Sequence, residues 1–341
     1  MSKAQKMISS VEAWQYAIAL QPPAPVAERR GIILRWQLED ARSIFSEMAP
    51  LPGFSPETLA ECRQACQAWL GNDPAVRIVD NIAPVSLEPL PAAARFAIEA
   101  GRLQLLYELP PVAPIQLCSL IDPSLQNESV GWDPATSGLP AEMSCLKVKV
   151  GRQSVAADMA DLSLLDNHLP GHVKLRLDAN RAWSLAQAQQ VCNAIPAQRI
   201  DYVEEPLVPE SSYADWANAV DVPFAWDETL RENPAVNLLT PGLAALVVKP
   251  MLTGLAQTQA WLQAANSAQR RVVLSAAFES NLTLDLYARL SAFWGLRGHQ
   301  GLDTFSAWPV SLLEPLRSQP GHAHKPLVNK DKLSYLGRWL G

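Results

Sequence analysis

Five charged residues, each closing a short apolar run, are the positions in this chain best suited to chemistry: Lys149, Asp178, Glu204, Asp227 and Lys249. The intervals from Lys149 through Asp178, Glu204 and Asp227 to Lys249 are 29, 26, 23 and 22 residues, each about the length of one strand-plus-helix unit. Glu204 and Glu205 are adjacent, as are Asp227 and Glu228. Successive strand residues project to opposite faces, so parity alone leaves open which member of each pair faces inward. The partner of each pair is expected to lie on the solvated surface. Carboxylates delivered by separate rigid strands are hard oxygen donors of the kind that bind Mg2+. Lys149 and Lys249 come from strands about half a barrel apart and would approach a central substrate from opposite sides. For proton transfer near neutral pH a lysine must ionise below its reference value of about 10.4. Lys147, Lys249, Arg176 and a divalent ion are the positive charges expected to bring that about. The competing reading is a set of buried ion pairs that hold the barrel layers together.

The elements that must carry these residues alternate between short apolar runs and helix-favouring segments such as Ser184–Ala194 and Leu255–Ser267. That alternation predicts a parallel sheet. At least seven units repeat with no nucleotide-binding glycine fingerprint, so a closed β/α barrel is expected over an open doubly wound sheet. The first hundred residues differ from this pattern. A strand is expected near Gly31–Gln37, and Pro50-Leu51-Pro52-Gly53-Phe54-Ser55-Pro56 reads as a loop. A helix should follow with Ser55 as its N-cap and Pro56 in its first turn; a second should run from Pro91 to about Leu106. The proline cluster Pro110–Pro114 marks a boundary. The expected organisation is an α+β capping domain over residues 1–110, a barrel over 111–309, and a return of 310–341 to the first domain.

Composition narrows the class of partner. The chain has 341 residues, 48% hydrophobic and 18% charged, with a formal net charge of −6; this is enough to bury a large core. An acidic surface argues against nucleic-acid or anionic-membrane partners and leaves a small-molecule partner expected. Cys62, Cys66, Cys118, Cys145 and Cys192 have no disulfide-scaffold spacing, and Cys62 and Cys66, four apart on one helix face, read as core. Residues 1–19 lack the apolar segment of a signal peptide, and no run of about 18 apolar residues occurs, so a cytoplasmic location is expected. His168, His172, His299, His322 and His324 lie outside the strand-end motifs and read as surface or structural.

The motifs Lys147-Val148-Lys149-Val150-Gly151, Leu175-Arg176-Leu177-Asp178-Ala179-Asn180-Arg181-Ala182-Trp183, Glu204-Glu205-Pro206, Trp226-Asp227-Glu228, Lys249-Pro250-Met251-Leu252-Thr253-Gly254 and Glu279-Ser280, in this order, resemble the enolase superfamily and within it the o-succinylbenzoate synthase family. Ala49–Ser55 resembles that family's capping-domain loop, and Gly301–Thr304 its last barrel strand. The resemblance implies a modified TIM-type barrel with a capping α+β domain built from both chain ends. It implies one Mg2+, with Mn2+ as a substitute, held by Asp178, Glu204 and Asp227. It also implies a carbon–oxygen lyase reaction in menaquinone biosynthesis: dehydration of 2-succinyl-6-hydroxy-2,4-cyclohexadiene-1-carboxylate to 2-succinylbenzoate through an enolate. Lys149 would serve as base and then acid, and Lys249 as a cation over the ring or a second acid/base. Lys147, Arg176, Asn180, Ser275 and the backbone of Gly301 are expected substrate or supporting contacts, Ser275 and Gly301 at the succinyl tail. Strand seven reads Ser275-Ala276-Ala277-Phe278, with fewer hydroxyls than the family often has, and the segment Gln21–Arg30 corresponds to a lid. Related reactions (N-acylamino-acid racemisation, dipeptide epimerisation, cycloisomerisation) would use the same lysines and metal. A Schiff-base aldolase built on Lys249 is the alternative from another chemical class.

Overall fold

The computed structural model of the chain describes residues 6–40, 42–72, 78–79, 82, 87, 89–111, 115–125, 142–209, 211–314 and 327–340. The first part is an antiparallel sheet with two helices: β1 (Lys6–Ala19), β2 (Glu28–Leu38), β3 (Ser43–Met48), α1 (Leu59–Asn72), β4 (Ile78–Val79) and α2 (Ala92–Leu106). There follow β5 (Ser119–Ile121), β6 (Cys145–Lys149), α3 (Val155–His168), β7 (Lys174–Asp178), α4 (Leu185–Cys192), β8 (Ile200–Glu204) and α5 (Trp216–Ala219). The chain continues through β9 (Phe224–Trp226), α6 (Glu228–Glu232), β10 (Leu243–Val248), α7 (Leu255–Ser267), β11 (Arg271–Leu274) and α8 (Asn281–Phe293), and β12 (Leu333–Leu340) is the last strand. The boundary prolines are only partly covered, because Val112–Pro114, like His322 and His324, fall outside the described residues.

The amino-terminal sheet runs β12-β1-β2-β3, so the last strand lies beside the first, with β12 antiparallel to β1. Strand alternation divides its two faces. Ile32, Leu34, Trp36 and Leu38 of β2 pack with Ala93, Phe96 and Ala97 of α2, whereas Ile33 faces the other way with Tyr16, Leu282 and Trp308. The approach of α2 to this sheet depends on a residue without a side chain, since a Cβ on Gly101 would lie 2.4 Å from the Trp36 indole. The cap of α1 differs from expectation. Thr58 and Glu61 form a reciprocal capping box, with Glu61 N donating to Thr58 Oγ1 at 3.2 Å and Thr58 N to Glu61 Oε2 at 2.7 Å. Ser55 instead accepts from Leu51 N at 2.9 Å and closes the preceding turn. A Ser/Thr followed three residues later by Glu satisfies two exposed donors at once, which Ser55 cannot do.

The second sheet is parallel throughout and follows chain order from β5 to β11. It closes on itself through residues 300 and 301: Leu117 bridges Gln300 and Ser275 bridges Gly301, both in parallel sense. Cys118 N donates to Gln300 O at 2.9 Å and Gly301 N to Leu274 O at 2.8 Å across the two seams. The result is an α/β modified barrel with a capping α+β layer. Its outward strand residues, among them Leu146, Val148, Leu175, Leu177, Val203, Phe224, Trp226 and Leu246, form one core with the flanking helices. A small separate cluster of Tyr202, Ala225, Ala245, Val247 and Val273 fills the interior. The cysteines are all buried and unpaired by disulfides. No helix among the described residues is long and apolar enough to cross a membrane.

Candidate active site

The interior cluster fixes the phase of every strand that enters it. Glu204 is two residues beyond Tyr202, Asp227 two beyond Ala225 and Lys249 two beyond Val247, so all three continue the inward face. Register aligns the rest: Lys149 is paired with Asp178, and Asp178 with Glu204, on adjacent parallel strands. Asp178, Glu204 and Asp227 are each 1% exposed. Buried carboxylates need partners, and here lysines supply them. Lys147 Nζ lies 2.8 Å from both Glu204 oxygens and 2.8 Å from Asp178 Oδ2. Lys149 Nζ donates to Asp178 Oδ2 at 2.5 Å and to Asn180 Oδ1 at 2.8 Å. Lys249 Nζ is bonded to Asp227 Oδ2.

Two lysines of this layer are held charged by their carboxylate partners. Burial disfavours the charge on Lys147, but Asp178 and Glu204 outweigh it and hold the ammonium well above the ordinary lysine range. Lys249 is likewise raised, because Asp227 and Glu204 outweigh burial and the repulsion of Lys147. The acids respond in opposite directions. Burial works against ionisation of Asp178, yet Lys147 and Lys149 prevail and hold it well below the usual carboxylate range. Burial also opposes the charge of Asp227, which Lys249 and Arg231 nevertheless keep low. Burial and the adjacent Asp178 push Glu204 up to about 7, despite Lys147.

A divalent cation suits this donor set. Asp178 Oδ1 and Asp227 Oδ1 are buried without a hydrogen-bond partner, whereas most buried polar atoms have one. Both are hard oxygens; the lysines contact the Oδ2 atoms of these residues instead, and Arg231 Nε lies 3.7 Å from Asp227 Oδ1. Among the described residues no three Asp, Glu, His or Cys side chains converge as a ready cluster; Lys147 bridges Asp178 and Glu204, and Lys249 pairs with Asp227.

The second members of the acidic pairs are not on the solvated surface. Glu205 is fully buried and sits at a positive φ of 41°. Its carboxylate accepts from Asp227 N at 2.7 Å, Thr229 N at 2.7 Å, Thr229 Oγ1 at 2.9 Å and Arg181 Nε at 3.2 Å. It therefore fixes the backbone that presents Asp227. Glu228 accepts from Asn180 Nδ2 at 3.1 Å, and Asn180 in turn receives Lys149, so Glu228 is tied to the lysine through one amide. Asn180 and Arg181 both adopt positive φ, 44° and 64°, a sharp turn that brings these side chains back over the strand end. The phase of Phe224-Ala225-Trp226, with its small residue between two large ones, was the available signal that Asp227 faces in and its neighbour does not.

Two expected contacts are placed elsewhere. Arg176 is buried one layer below Asp178, about 7 Å down the strand by the period of two. Its guanidinium donates to Asp201 Oδ2 and His299 O, both at 2.9 Å, and stacks 4.8 Å from the Tyr202 ring centroid. These contacts use Arg176 to plug the barrel interior, away from the lysine-carboxylate layer. The backbone of Gly301 is occupied in closing the barrel, its N–H on Leu274 O and its carbonyl on Ala276 N, so the N–H has no capacity left for a substrate. Ser275 lies beside Gly301 on that seam, where a Cβ on the glycine would meet Ser275 Oγ at 2.9 Å. Its hydroxyl takes no part in the lysine-carboxylate network. His299 is structural, with Nε2 2.7 Å from Ser144 Oγ, and His168 and His172 are exposed.

Comparison with known proteins gives the family and the fold. Residues 137–326 match a family model described as "Enolase C-terminal domain-like". The chain is 34% identical over 338 residues to o-succinylbenzoate synthase of Klebsiella pneumoniae (strain 342), covering 96% of this chain and 99% of that one. The crystal structure of o-succinylbenzoate synthase from Thermosynechococcus elongatus BP-1, complexed with Mg in the active site, superposes with a TM-score of 0.66 at 25% identity over 91% of this chain and 97% of that one. The L-Ala-D/L-Glu epimerase from Bacillus subtilis shares the fold, with a TM-score of 0.73 at 18% identity over 97% and 99% of the two chains. The chain belongs to the o-succinylbenzoate synthase family of the enolase superfamily.

Proposed function

We propose that this protein is a Mg2+-dependent hydro-lyase that dehydrates 2-succinyl-6-hydroxy-2,4-cyclohexadiene-1-carboxylate to 2-succinylbenzoate in menaquinone biosynthesis. The observation that carries the reading is one buried layer at the barrel mouth, in which Lys149 on β6 and Lys249 after β10 face each other across Asp178, Glu204 and Asp227. Lys149 Nζ takes the proton α to the substrate carboxylate, and the electron pair of that C–H bond moves into the carboxylate to give the enolate. The C–O bond to the ring hydroxyl then breaks, Lys149 returns the proton to the departing oxygen, and water leaves as the ring becomes aromatic. One group serves both half-steps because both bonds lie on one face of the ring. Lys249 holds positive charge against the opposite face, a cation-π contact worth about 0.5 to 2 kcal/mol. Asp178, Glu204 and Asp227 would hold Mg2+, or Mn2+ in its place, which when bound supplies positive charge to the substrate carboxylate as it takes up negative charge. Lys147 bridges Asp178 and Glu204 and keeps them in one layer; Asn180 orients Lys149. Ser275 is the candidate for the succinyl tail. The capping domain is residues 1–110 with 310–341, the barrel is 111–309, and the location is cytoplasmic.

The test is loss of the cyclohexadiene absorbance with and without chelator. Turnover that needs Mg2+ and stops with EDTA is expected, and absence of turnover beside robust dipeptide epimerisation would replace the substrate assignment. Activity unaffected by EDTA, with a borohydride-trapped adduct on Lys249, would favour the aldolase. Asp178→Asn should weaken Mg2+ binding measured by calorimetry; unchanged affinity would remove Asp178 from the ligand set.

A further inference from the structure

Arg29 is completely buried, between Glu28 and Arg30, which are exposed and pair with each other. A guanidinium is costly to bury unless its donors are satisfied, and here they are spent on backbone carbonyls. Nε donates to Phe278 O at 3.1 Å, Nη1 to Pro50 O at 2.6 Å and, weakly, to Arg30 O at 3.5 Å; Nη2 donates to Ala49 O and to Ala277 O at 3.3 Å. One rigid fork therefore joins two segments more than two hundred residues apart in sequence: the entry to the capping loop and the exit of β11 just beyond Ser275.

Both segments reach the barrel mouth. Leu51 of the capping loop and Ala277 after β11 form a small apolar cluster with Leu252, and Val26 of the proline-rich segment packs against it. Leu252 is three residues beyond Lys249, so this cluster borders the lysine-carboxylate layer on the side of Lys249 and Ser275. The clamp also holds an unfavourable backbone in place. Phe278 has φ +57°, a conformation that bulky side chains rarely adopt, and its carbonyl receives both Arg29 and Trp308 Nε1, the latter at 3.3 Å.

We propose that Arg29 is a positioning residue for substrate recognition. By fixing the capping loop Ala49–Ser55 against Ala277–Phe278, it sets the apolar wall on which the part of the carboxylate substrate remote from the reacting carbon packs. This rests on the dehydration proposed above. Lysine cannot take the place of Arg29, because a single ammonium has no planar fork with which to span two chain segments.

Arg29→Lys keeps the charge and removes the fork, and Arg29→Met/Glu279→Gln removes the cation together with a carboxyl that faces it, which keeps the test open if the first variant does not fold. Melting temperature and circular dichroism establish the folded state. For either folded variant KM for the cyclohexadiene substrate should rise about tenfold or more while kcat stays within about threefold of wild type, the pattern of lost uniform binding. Hydrogen exchange should accelerate at the amides of Leu51, Phe54, Ser55 and Ala277, with wild-type protection retained in β6–β10. Unchanged KM, equal losses in KM-independent and KM-dependent rates, or unchanged exchange at the four amides would each overturn the proposal. Exchange needs no turnover, so a wild-type protein inactive on this substrate would sink the proposed reaction and leave the clamp to be judged by exchange alone.

Discussion

Replacing Glu279 with Gln should flatten part of the pH dependence of folding stability. The Glu279 carboxyl is fully buried where the capping sheet meets the barrel, and it accepts from Ala277 N at 2.5 Å and from Tyr287 OH at 3.1 Å. Tyr287 OH in turn receives Met251 N at 3.1 Å, so the group ends a short relay. Burial, outweighing the attraction of Arg29, pushes Glu279 up to about 7 from the ordinary 4.5. The folded protein thus retains a proton that the unfolded chain releases from about pH 4.5 upward. Its contribution is fully present below that value and is lost as pH rises through 7. Each pH unit between the two values is worth about 1.4 kcal/mol, so the whole window amounts to about 3 kcal/mol. Gln is a neutral isostere that keeps an acceptor for Ala277 N and does not titrate. Urea denaturation of both proteins at pH 5 and pH 8, at one ionic strength, gives the difference, and groups such as Glu204 that titrate in both proteins cancel. The stability of wild type relative to Glu279→Gln should fall by about 2.5 kcal/mol between those pH values, because part of the window is already used at pH 5. A difference that is flat, or that grows as pH rises, would refute the argument.

Lys149→Ala should slow exchange of the substrate α-proton with D2O by about 100-fold to 10,000-fold or more, the usual worth of a positioned acid/base group, while Mg2+ binding persists; exchange at the wild-type rate, followed by NMR, would remove the residue from the proton transfer. Glu205→Gln should cost about 1 to 3 kcal/mol in stability, since one amide oxygen cannot accept from Arg181, Thr229 and the Asp227 backbone together, and should weaken Mg2+ affinity by displacing Asp227. A destabilised variant with wild-type metal affinity would show that Asp227 keeps its position without Glu205.

The strand ends were legible in the sequence because each proposed site residue closes an apolar run, and the interval between runs is set by local geometry: a short strand, a turn and a few helical turns. Local rules also sufficed for α2, α4 and α7, whose expected spans lie within a few residues of those observed, and for the shared face of Lys147 with Lys149. The cap of α1 follows the same local rules, but the reciprocal Thr58–Glu61 pair outcompetes Ser55, which closes the preceding turn. Where a charge goes after it leaves its strand is a different kind of question. Arg176 and Asp178 share a face and a strand, yet one plugs the interior against Asp201 and the other meets two lysines; the layer each occupies depends on the register of its neighbours. Glu205 looked like a surface acid because its role is set by Thr229, Arg181 and the Asp227 backbone, which reach it only when β8 and β9 lie side by side and the chain turns at positive φ. Arg29 carried no motif at all, since its partners are backbone carbonyls, which every residue possesses. The sequence by itself determined which residue types stand at the strand ends and how often they recur, properties of single elements. Partner choice among buried charges was decided by closure of the barrel and docking of the cap, because the desolvation that makes each pairing obligatory exists only once distant segments have excluded water together.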